Sequence, residues 1–254
     1  MSIEIIILLI GLVALMALGI PICFALMSVS SVILLAFFGP AQMNILNAAF
    51  VNQMQSDSLL AIPMFALMAS FLQTSGIGSD IYEFFHKWMG GIRGGLAMAT
   101  VATTAVIAAM SGVAATATIA MGLIALPEMI NRGYDKSLAC GPVLAGGCLG
   151  PIIPPSTIMI IMASYTGVSA GWLFMGGVLP GVGLALIFMV YIGIRCMITP
   201  SLGPAIPKNE RPGWGEKFRV FGKVVVPIGI IVLVLGCIYA GVATPTEASG
   251  VGAF

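Results

Sequence analysis

Charge is what this sequence has least of. Only 7% of its 254 residues are Asp, Glu, Lys or Arg, against about 25% in an ordinary soluble domain, so the chain cannot cover a water-facing surface. No charged residue falls between Glu4 and Asp57, between Arg93 and Glu128, between Lys136 and Arg195, or between Lys223 and Glu247. Histidine is nearly absent too: His86 is the single one. The five cysteines, Cys23, Cys140, Cys148, Cys196 and Cys237, form no close CxxC pair and no histidine-linked metal spacing, and they read as buried free thiols. With a net charge of +1 and no basic run, electrostatics give no reason to expect a nucleic-acid partner.

What fills the gaps is apolar. Hydrophobic residues make up 59% of the chain and mean hydropathy is +1.12. A span needs roughly 20 apolar residues to cross a hydrocarbon core of about 30 Å. Runs at 3–20, 22–38, 58–74, 94–130, 138–170, 172–194 and 224–242 meet or approach that length, which predicts an all-α polytopic membrane protein. The N-terminal stretch carries Glu4 where a signal peptide carries basic residues, and has no small-residue cleavage site. It reads as a retained first span.

Short cytoplasmic loops collect Lys and Arg. Six of the ten cations, Arg195, Lys208, Arg211, Lys217, Arg219 and Lys223, fall in 195–223, which is therefore expected in the cytoplasm. Lys87 and Arg93 precede the 94–130 run, and Arg132 and Lys136 follow it. Both of its ends then lie on one face, and its 37 residues suit a re-entrant hairpin turning at Ser111 and Gly112. The stretch 40–57 has no Lys or Arg and is placed outside, as is the N-terminus.

The second anomaly is "GGCLGPIIPPSTIMIIMAS" at 146–164, with Pro151, Pro154 and Pro155 inside an uncharged run. Proline removes a backbone donor and clashes with the carbonyl one turn back. A lone proline in a span is commonly a kink, the reading for Pro63, Pro180 and Pro227; three in five residues predict a break. Broken backbone at membrane depth survives only where protein buries it or it lines a wet cavity. Both interruptions carry hard oxygen donors: the Ser111 hydroxyl with carbonyls around Gly112, and the Ser156 hydroxyl with proline-freed carbonyls from Gly150 onward. Such donors suit a hard cation, and half-helix ends suit ions and anionic groups. Small-residue helix packing is the competing reading for Ser111 and Gly112.

These motifs closely resemble the large membrane subunit of tripartite ATP-independent periplasmic (TRAP) transporters. The resemblance rests on "LGPIIPPSTIMIIMASYTGVSAGWLFMGGVLPG", with "AIPMFALMASFLQTSGI", "GGIRGGLAMA", "MSGVAATATIAMG", "PEMINRGYDKSLA" and "GVATPTEASGVGA" in matching order. It covers essentially the whole chain. It implies an elevator-type secondary transporter half, with a truncated inverted repeat, in the bacterial inner membrane. The implied function is sodium-coupled import of an organic acid, such as a C4-dicarboxylate or a sialic-acid-like sugar acid, delivered by a periplasmic substrate-binding protein and shared with a small membrane subunit. Sodium is the implied coupling ion, with no other cofactor. The implied sodium and substrate site comprises Ser111, Gly112, Thr116, Gly150, Pro151, Pro154, Pro155 and Ser156, of which Ser111, Gly112, Gly150 and Ser156 are the metal ligands. The family usually writes the hairpin tip SGS, and Val113 replaces the second serine here; Thr116 or Thr118 could supply the hydroxyl instead.

The expected organisation is scaffold-type spans and an interfacial segment over 1–93, a transport-domain half over 94–195, a cytoplasmic loop over 196–223, and the start of a second inverted repeat over 224–254. That last reading rests on "VALMALGIPICFALMS" and "VLGCIYAGVATPTEASG", each an apolar span ending in small residues and a proline, Pro21 or Pro245. Inverted repeats place transporter sites at the repeat interface, so 1–254 alone is expected neither to transport nor to bind sodium tightly.

Rival readings are a channel or another ion-coupled carrier, and an intramembrane protease. The protease is disfavoured: Ser–His chemistry needs an intramembrane base, His86 sits in the charged flank "YEFFHKWMGGIR", and Asp57, Asp80 and Asp135 lie at span boundaries. His86 is expected to be an interfacial polar residue. Trp88, Trp172 and Trp214 read as interface anchors, and Glu128 and Glu247, beside Pro127 and Pro245, as helix caps.

Overall fold

The computed structural model describes residues 3–207 and 211–253; Lys208 of the cation-rich loop lies outside them. The described residues form an all-α protein of twelve helices with no strand among them. Four are long and apolar enough to cross a membrane: Asp57–Thr74, Ala114–Asn131, Ala170–Ile198 and Trp214–Tyr239.

Chain contacts divide the protein at Ser56/Asp57. The first unit holds α1 (Ile3–Ala17), α2 (Ile22–Ile33), whose end loosens into a π-turn over Leu34–Phe38, and α3 (Met43–Met54). Between α1 and α2 the chain turns through Gly19, at φ +82°, and Pro21 is the α2 N-cap. Gly11 lets the two helices close, because a Cβ there would sit 3.1 Å from a Val29 methyl. Helix α3 lies in the stretch expected only as an outside connection.

The second unit begins with α4 (Asp57–Thr74) and α5 (Ile77–Met89). Helix α5 sets Ile81 and Tyr82 inward while Lys87 pairs with Glu83 at 2.8 Å. Its i, i+4 charge pair and apolar stripe make it amphipathic. The hairpin follows: α6 (Gly95–Ser111), a turn at Gly112, and α7 (Ala114–Asn131). All of α6 except Val106 is buried. Lipid is as apolar as leucine, so transmembrane helices associate through close packing of small residues more than through hydrophobicity; α6, "GLAMATVATTAVIAAMS", is built for that.

The 138–170 run resolves into α8 (Lys136–Gly147) and α9 (Thr157–Thr166), with non-helical backbone between. Helix α10 (Ala170–Ile198) runs antiparallel to both. Its 29 residues, about 43 Å at 1.5 Å each, serve as a ruler. A Cβ at Gly177 would meet Met159 and the Ile152 carbonyl, and one at Gly181 would meet Ile153, so the break lies beside the N-terminal half of α10, away from both of its ends. The broken pair α8–α9 therefore reads as one span, interrupted at mid-depth.

Helix α11 (Trp214–Tyr239) starts ten residues before the expected span, so 196–223 is helical at both ends. Its charged first turns are held by Lys223, which reaches Asp80 at 2.9 Å and Glu83 at 3.3 Å on α5. The chain then turns through Gly241, at φ +69°, into α12 (Pro245–Ala253). This matches the Gly19–Pro21 turn in plan: helix, left-handed glycine, proline-led helix. Glu247 is a cap as expected. Its Oε2 accepts from the Thr244 N–H and hydroxyl, while the Glu247 N–H donates back to Thr244 Oγ1 at 3.3 Å, a reciprocal capping box. Glu128 is not a cap. It lies inside α7, where it takes Arg132 at 3.3 Å and stands 3.4 Å from His86 Nε2.

Candidate functional site

The site starts from one glycine. Gly112 ends α6 at φ +62°, a left-handed conformation that L side chains rarely adopt. That conformation reverses the chain within two residues, so α7 starts at Ala114 beside the end of α6. Ser111 is buried, and its hydroxyl donates to the Val113 carbonyl at 3.2 Å while accepting from the Val113 N–H at 3.4 Å. Ser111 is thus turned back into its own turn, with hydroxyl lone-pair capacity left over. Val113 is 41% exposed and supplies no side-chain oxygen. Thr116, half-buried in the first turn of α7, makes no side-chain hydrogen bond among the described residues.

The break is built as tightly. Gly150 abuts the tip: a Cβ there would lie 3.2 Å from the Ala114 nitrogen and 3.4 Å from the Ala108 Cβ. Ser156, fully buried, caps α9 by accepting from the Met159 N–H at 3.4 Å, and its hydroxyl donates to the Pro151 carbonyl at 2.8 Å. Pro154 and Pro155 are buried and joined by a cis peptide bond. Having no N–H, they leave carbonyls of the preceding turn without helical donors. Among the described residues the Gly150 and Pro155 carbonyls accept no hydrogen bond.

Tip and break meet. A Cβ at Gly112 would stand 2.8 Å from the Pro155 carbonyl oxygen and 3.1 Å from the Thr157 nitrogen, and the Thr157 hydroxyl donates to the Gly112 carbonyl at 3.1 Å. The residues singled out from sequence, Ser111, Gly112, Gly150, Pro151, Pro154, Pro155 and Ser156, therefore gather in one place, with Thr116 one turn along α7. Four helix ends converge there: the C-termini of α6 and α8 and the N-termini of α7 and α9. The arrangement offers oxygen donors to a cation and first-turn N–H groups to an anion. An unpaired carbonyl away from water is costly, and a hard cation is one partner that satisfies it.

Sequence reasoning missed what holds the two parts together. Thr157 is one such residue. Gly146 and Gly147, one turn before the break, are another: a Cβ at Gly146 would lie 2.5 Å from the Thr104 Cβ on α6, and one at Gly147 would overlap Thr118 Oγ1 on α7. The adjacent glycines in "LAGGCLG" were the available signal, as a flat patch for close helix approach.

At the opposite end, residues 199–207 clasp the base of the hairpin. Gly94 N–H donates to the Gly203 carbonyl at 2.9 Å, Asp135 N–H to the Leu202 carbonyl at 3.0 Å, and Ile206 N–H to the Gly90 carbonyl at 3.0 Å. One segment thus touches the chain just before α6 and just after α7, so both ends of the hairpin lie on one face. The break on which the tip seats lies beside Gly177 and Gly181, leaving about 10–17 Å of α10 beyond it.

His86 is more enclosed than an interfacial position implies. It stacks on Tyr82 at 5.9 Å between ring centroids. Its Nε2 is close enough to Glu128 for an ion pair once protonated, yet forms no hydrogen bond. Burial holds its pKa below the ordinary imidazole value, and burial with the Glu128 carboxylate pushes the Tyr82 phenol up. The only histidine is therefore engaged with Tyr82 and Glu128, while the Ser111 hydroxyl bonds to its own turn; no Ser–His pair is assembled among the described residues.

The family model for the DctM component of tripartite ATP-independent periplasmic transporters matches residues 9–254. The chain belongs to this family. It is 35% identical over 95% of its length to the C4-dicarboxylate TRAP transporter large permease protein DctM of Vibrio cholerae, covering 52% of that protein. It is 30% identical, over 93% of its length, to the ectoine TRAP transporter large permease protein TeaC of Halomonas elongata, covering 55%. It is also 30% identical to the 2,3-diketo-L-gulonate TRAP transporter large permease protein YiaN of Escherichia coli, covering 55%. The chain thus spans about half the length of the curated relatives it matches. This TRAP permease chain is a multi-pass protein of the bacterial inner membrane, and the relatives named here are permeases, not enzymes.

Proposed function

We propose that this chain is part of a sodium-coupled importer of a small organic anion, with the hairpin tip and helix break forming one face of the transport site. The observation that carries this reading is the seating of Gly112 on Pro155 and Thr157, which brings four helix ends together beside the Gly150 and Pro155 carbonyls, neither of which accepts a hydrogen bond among the described residues. The Ser111 and Ser156 hydroxyls, with carbonyls from Gly112 and Gly150, would hold sodium. The N-termini of α7 and α9, with Thr116, would face the anion, and Pro151, Pro154 and Pro155 keep the backbone open for both. Cysteine, histidine and carboxylate take no part, which suits a hard, weakly bound monovalent ion.

The substrate reading is a carboxylate or similar anion, supported by relatives named for C4-dicarboxylate, ectoine and 2,3-diketo-L-gulonate transport. Family membership also supports two partners, a small membrane subunit and a periplasmic binding protein that delivers the substrate. In this reading 94–195 moves as a transport-domain half against scaffold spans in 1–93. The 196–223 segment is cytoplasmic, and 224–254 opens the inverted repeat that completes the site.

The test is uptake by proteoliposomes holding the full-length permease, its small subunit and the binding protein. Uptake should saturate, depend on the binding protein and require an inward sodium gradient, and Ser111→Ala should weaken the sodium dependence. Equal uptake in potassium without sodium would overturn the coupling. Non-saturating flux independent of the binding protein would favour a channel. Residues 1–254 alone should show no sodium-driven uptake beside the full gene product.

A further inference from the structure

A groove of about 630 Å³ lies between α8 and α10 on the side away from the hairpin tip. That volume falls within the range of small-molecule sites, roughly 300–1,000 Å³, yet nothing in the transport reading uses it. Its α8 wall is low, formed by Gly141, Pro142 and Ala145, and its α10 wall is tall, formed by Ile187, Phe188 and Ile192. The groove follows the helix axes. From Arg195 to Ile187 is eight residues, about 12 Å, and from Asp135 to Ala145 is ten, about 15 Å. Each is close to half of a 30 Å hydrocarbon core, so the groove is as deep as one leaflet and ends at the cytoplasmic boundary.

The mouth is polar and carries both signs of charge. Arg195 is exposed, and its guanidinium has no ion-pair or hydrogen-bond partner among the described residues. Asp135 uses Oδ1 to cap α8, accepting from Ser137 N–H at 2.9 Å and Leu138 N–H at 3.2 Å; among the described residues Oδ2 takes no hydrogen bond. The two charges line one opening without pairing with each other. Tyr191, one turn deeper than Arg195 on the same helix, also lines the groove and is 64% exposed.

We propose that this groove binds one cytoplasmic-leaflet glycerophospholipid with a zwitterionic amine headgroup of the ethanolamine type. The acyl chain lies over Gly141 and Pro142, the phosphate meets Arg195 and the Tyr191 hydroxyl, and the ammonium meets the free oxygen of Asp135. An apolar groove open to the bilayer fills with lipid rather than water. An unpaired cation and an unpaired anion at one mouth match a headgroup that carries both. A purely anionic headgroup satisfies Arg195 and leaves Asp135 repelled; a choline headgroup offers its ammonium no N–H to donate. The proposal rests on membrane placement and is independent of sodium coupling.

Native mass spectrometry of the full-length permease, released from detergent after exchange with defined lipids, tests it. Phosphatidylethanolamine should remain bound at least tenfold more strongly than phosphatidylglycerol or phosphatidylcholine. Gly141→Leu should abolish that adduct. A Cβ at Gly141 meets nothing within 4 Å, so the leucine fills the groove without displacing α8, and an unchanged thermal midpoint shows that the fold is intact. Arg195→Gln should weaken retention of all three lipids about tenfold. Asp135→Asn, which keeps the helix cap, should erase the preference for ethanolamine over glycerol. Absence of a retained lipid in the wild type, or equal retention in Gly141→Leu, would overturn the proposal and indicate that protein covers the groove.

Discussion

The Thr157 hydroxyl donates to the Gly112 carbonyl at 3.1 Å, joining residues 45 positions apart in sequence. It is the side-chain bond that ties the hairpin tip to the helix break. A hydrogen bond of this kind contributes about 1 kcal/mol, enough to bias the tip between seated and lifted positions roughly fivefold. Thr157→Val keeps the shape and removes the donor, and should lower the initial rate of uptake severalfold; Thr157→Ser should restore it. Wild-type rates in Thr157→Val at matched protein levels would mean that the tip is held by packing alone.

Gly112→Ala carries two penalties. Its φ of +62° is unfavourable for alanine, by about 1–2 kcal/mol, and the new Cβ would stand 2.8 Å from the Pro155 carbonyl oxygen. Gly133 separates the two effects, because it has a similar φ of +80° with nothing within 4 Å of a Cβ. Gly133→Ala should lower the thermal midpoint while leaving uptake rates per folded molecule near wild type. Gly112→Ala should abolish uptake. Equal losses in both variants would trace the effect to backbone strain rather than to the tip contact.

Gly147 and Thr118 form a pair that a double-mutant cycle can expose. Gly147→Ala forces a methyl into the Thr118 hydroxyl, and should destabilise the detergent-solubilised protein by a few °C in thermal midpoint. Thr118→Ala removes the obstructing oxygen, so the double variant should recover more than half of the loss, a coupling in the 0.5–3 kcal/mol range of residues in contact. Additive losses would show that α7 and α8 are further apart than described.

The clasp at the base of the hairpin fixes a topological outcome. In a background lacking the five native cysteines, Ile92→Cys and Lys136→Cys should both react with an impermeant maleimide only from the cytoplasm, because both flank ends that bond to 199–207. Val168→Cys, at the far end of the broken span, should react only from outside. Labelling of the first two from opposite faces would rule out the hairpin.

His86 sets a pH dependence between pH 7 and 5. Burial depresses its folded pKa below the unfolded value of about 6.5, so the unfolded chain binds the extra proton first and stability rises with pH. The contribution is complete above the unfolded pKa and is lost as pH falls toward the folded one. Glu128 and Glu83 favour the charged form, and Arg132 and Lys87 oppose it. The wild-type thermal midpoint should therefore fall between pH 7 and 5, and His86→Gln should flatten that fall by a few °C. Glu83 is held below the usual carboxylate range chiefly by its hydrogen bond from Lys87, so its own effect lies at lower pH. An identical slope in His86→Gln would place the titrating group elsewhere.

By itself the sequence determined that the chain enters a membrane, because gaps such as 137–194 contain no charge and lipid tolerates none without compensation. It determined that the 94–130 run doubles back, because Arg93 and Arg132 flank it with the same sign, and that the helix at Pro151, Pro154 and Pro155 is interrupted, because proline has no N–H to give. Those are local or compositional consequences. Helix α5 was hidden because its charges interrupt the apolar runs, as in any amphipathic helix, although Ile77, Ile81, Phe84 and Trp88 repeat at helical spacing; α3 is uncharged, but Asn44, Asn47, Asn52 and Gln53 break up its apolar run. The extension of α11 back to Trp214 was hidden for the same reason. What only the tertiary structure decided is adjacency: Gly112 on Pro155, Thr157 bonded to Gly112, Gly147 under Thr118, Gly203 against Gly94, and His86 beside Glu128 rather than facing solvent. Glu128 and Glu247 show the difference most plainly. Each stands within two residues of a proline, but Glu247 meets Thr244 three residues back and caps a helix, a relation within one turn that sequence carries. Glu128 is engaged by His86 from 42 residues away, and contacts at that range depend on how α5 packs on the hairpin, which no local pattern specifies.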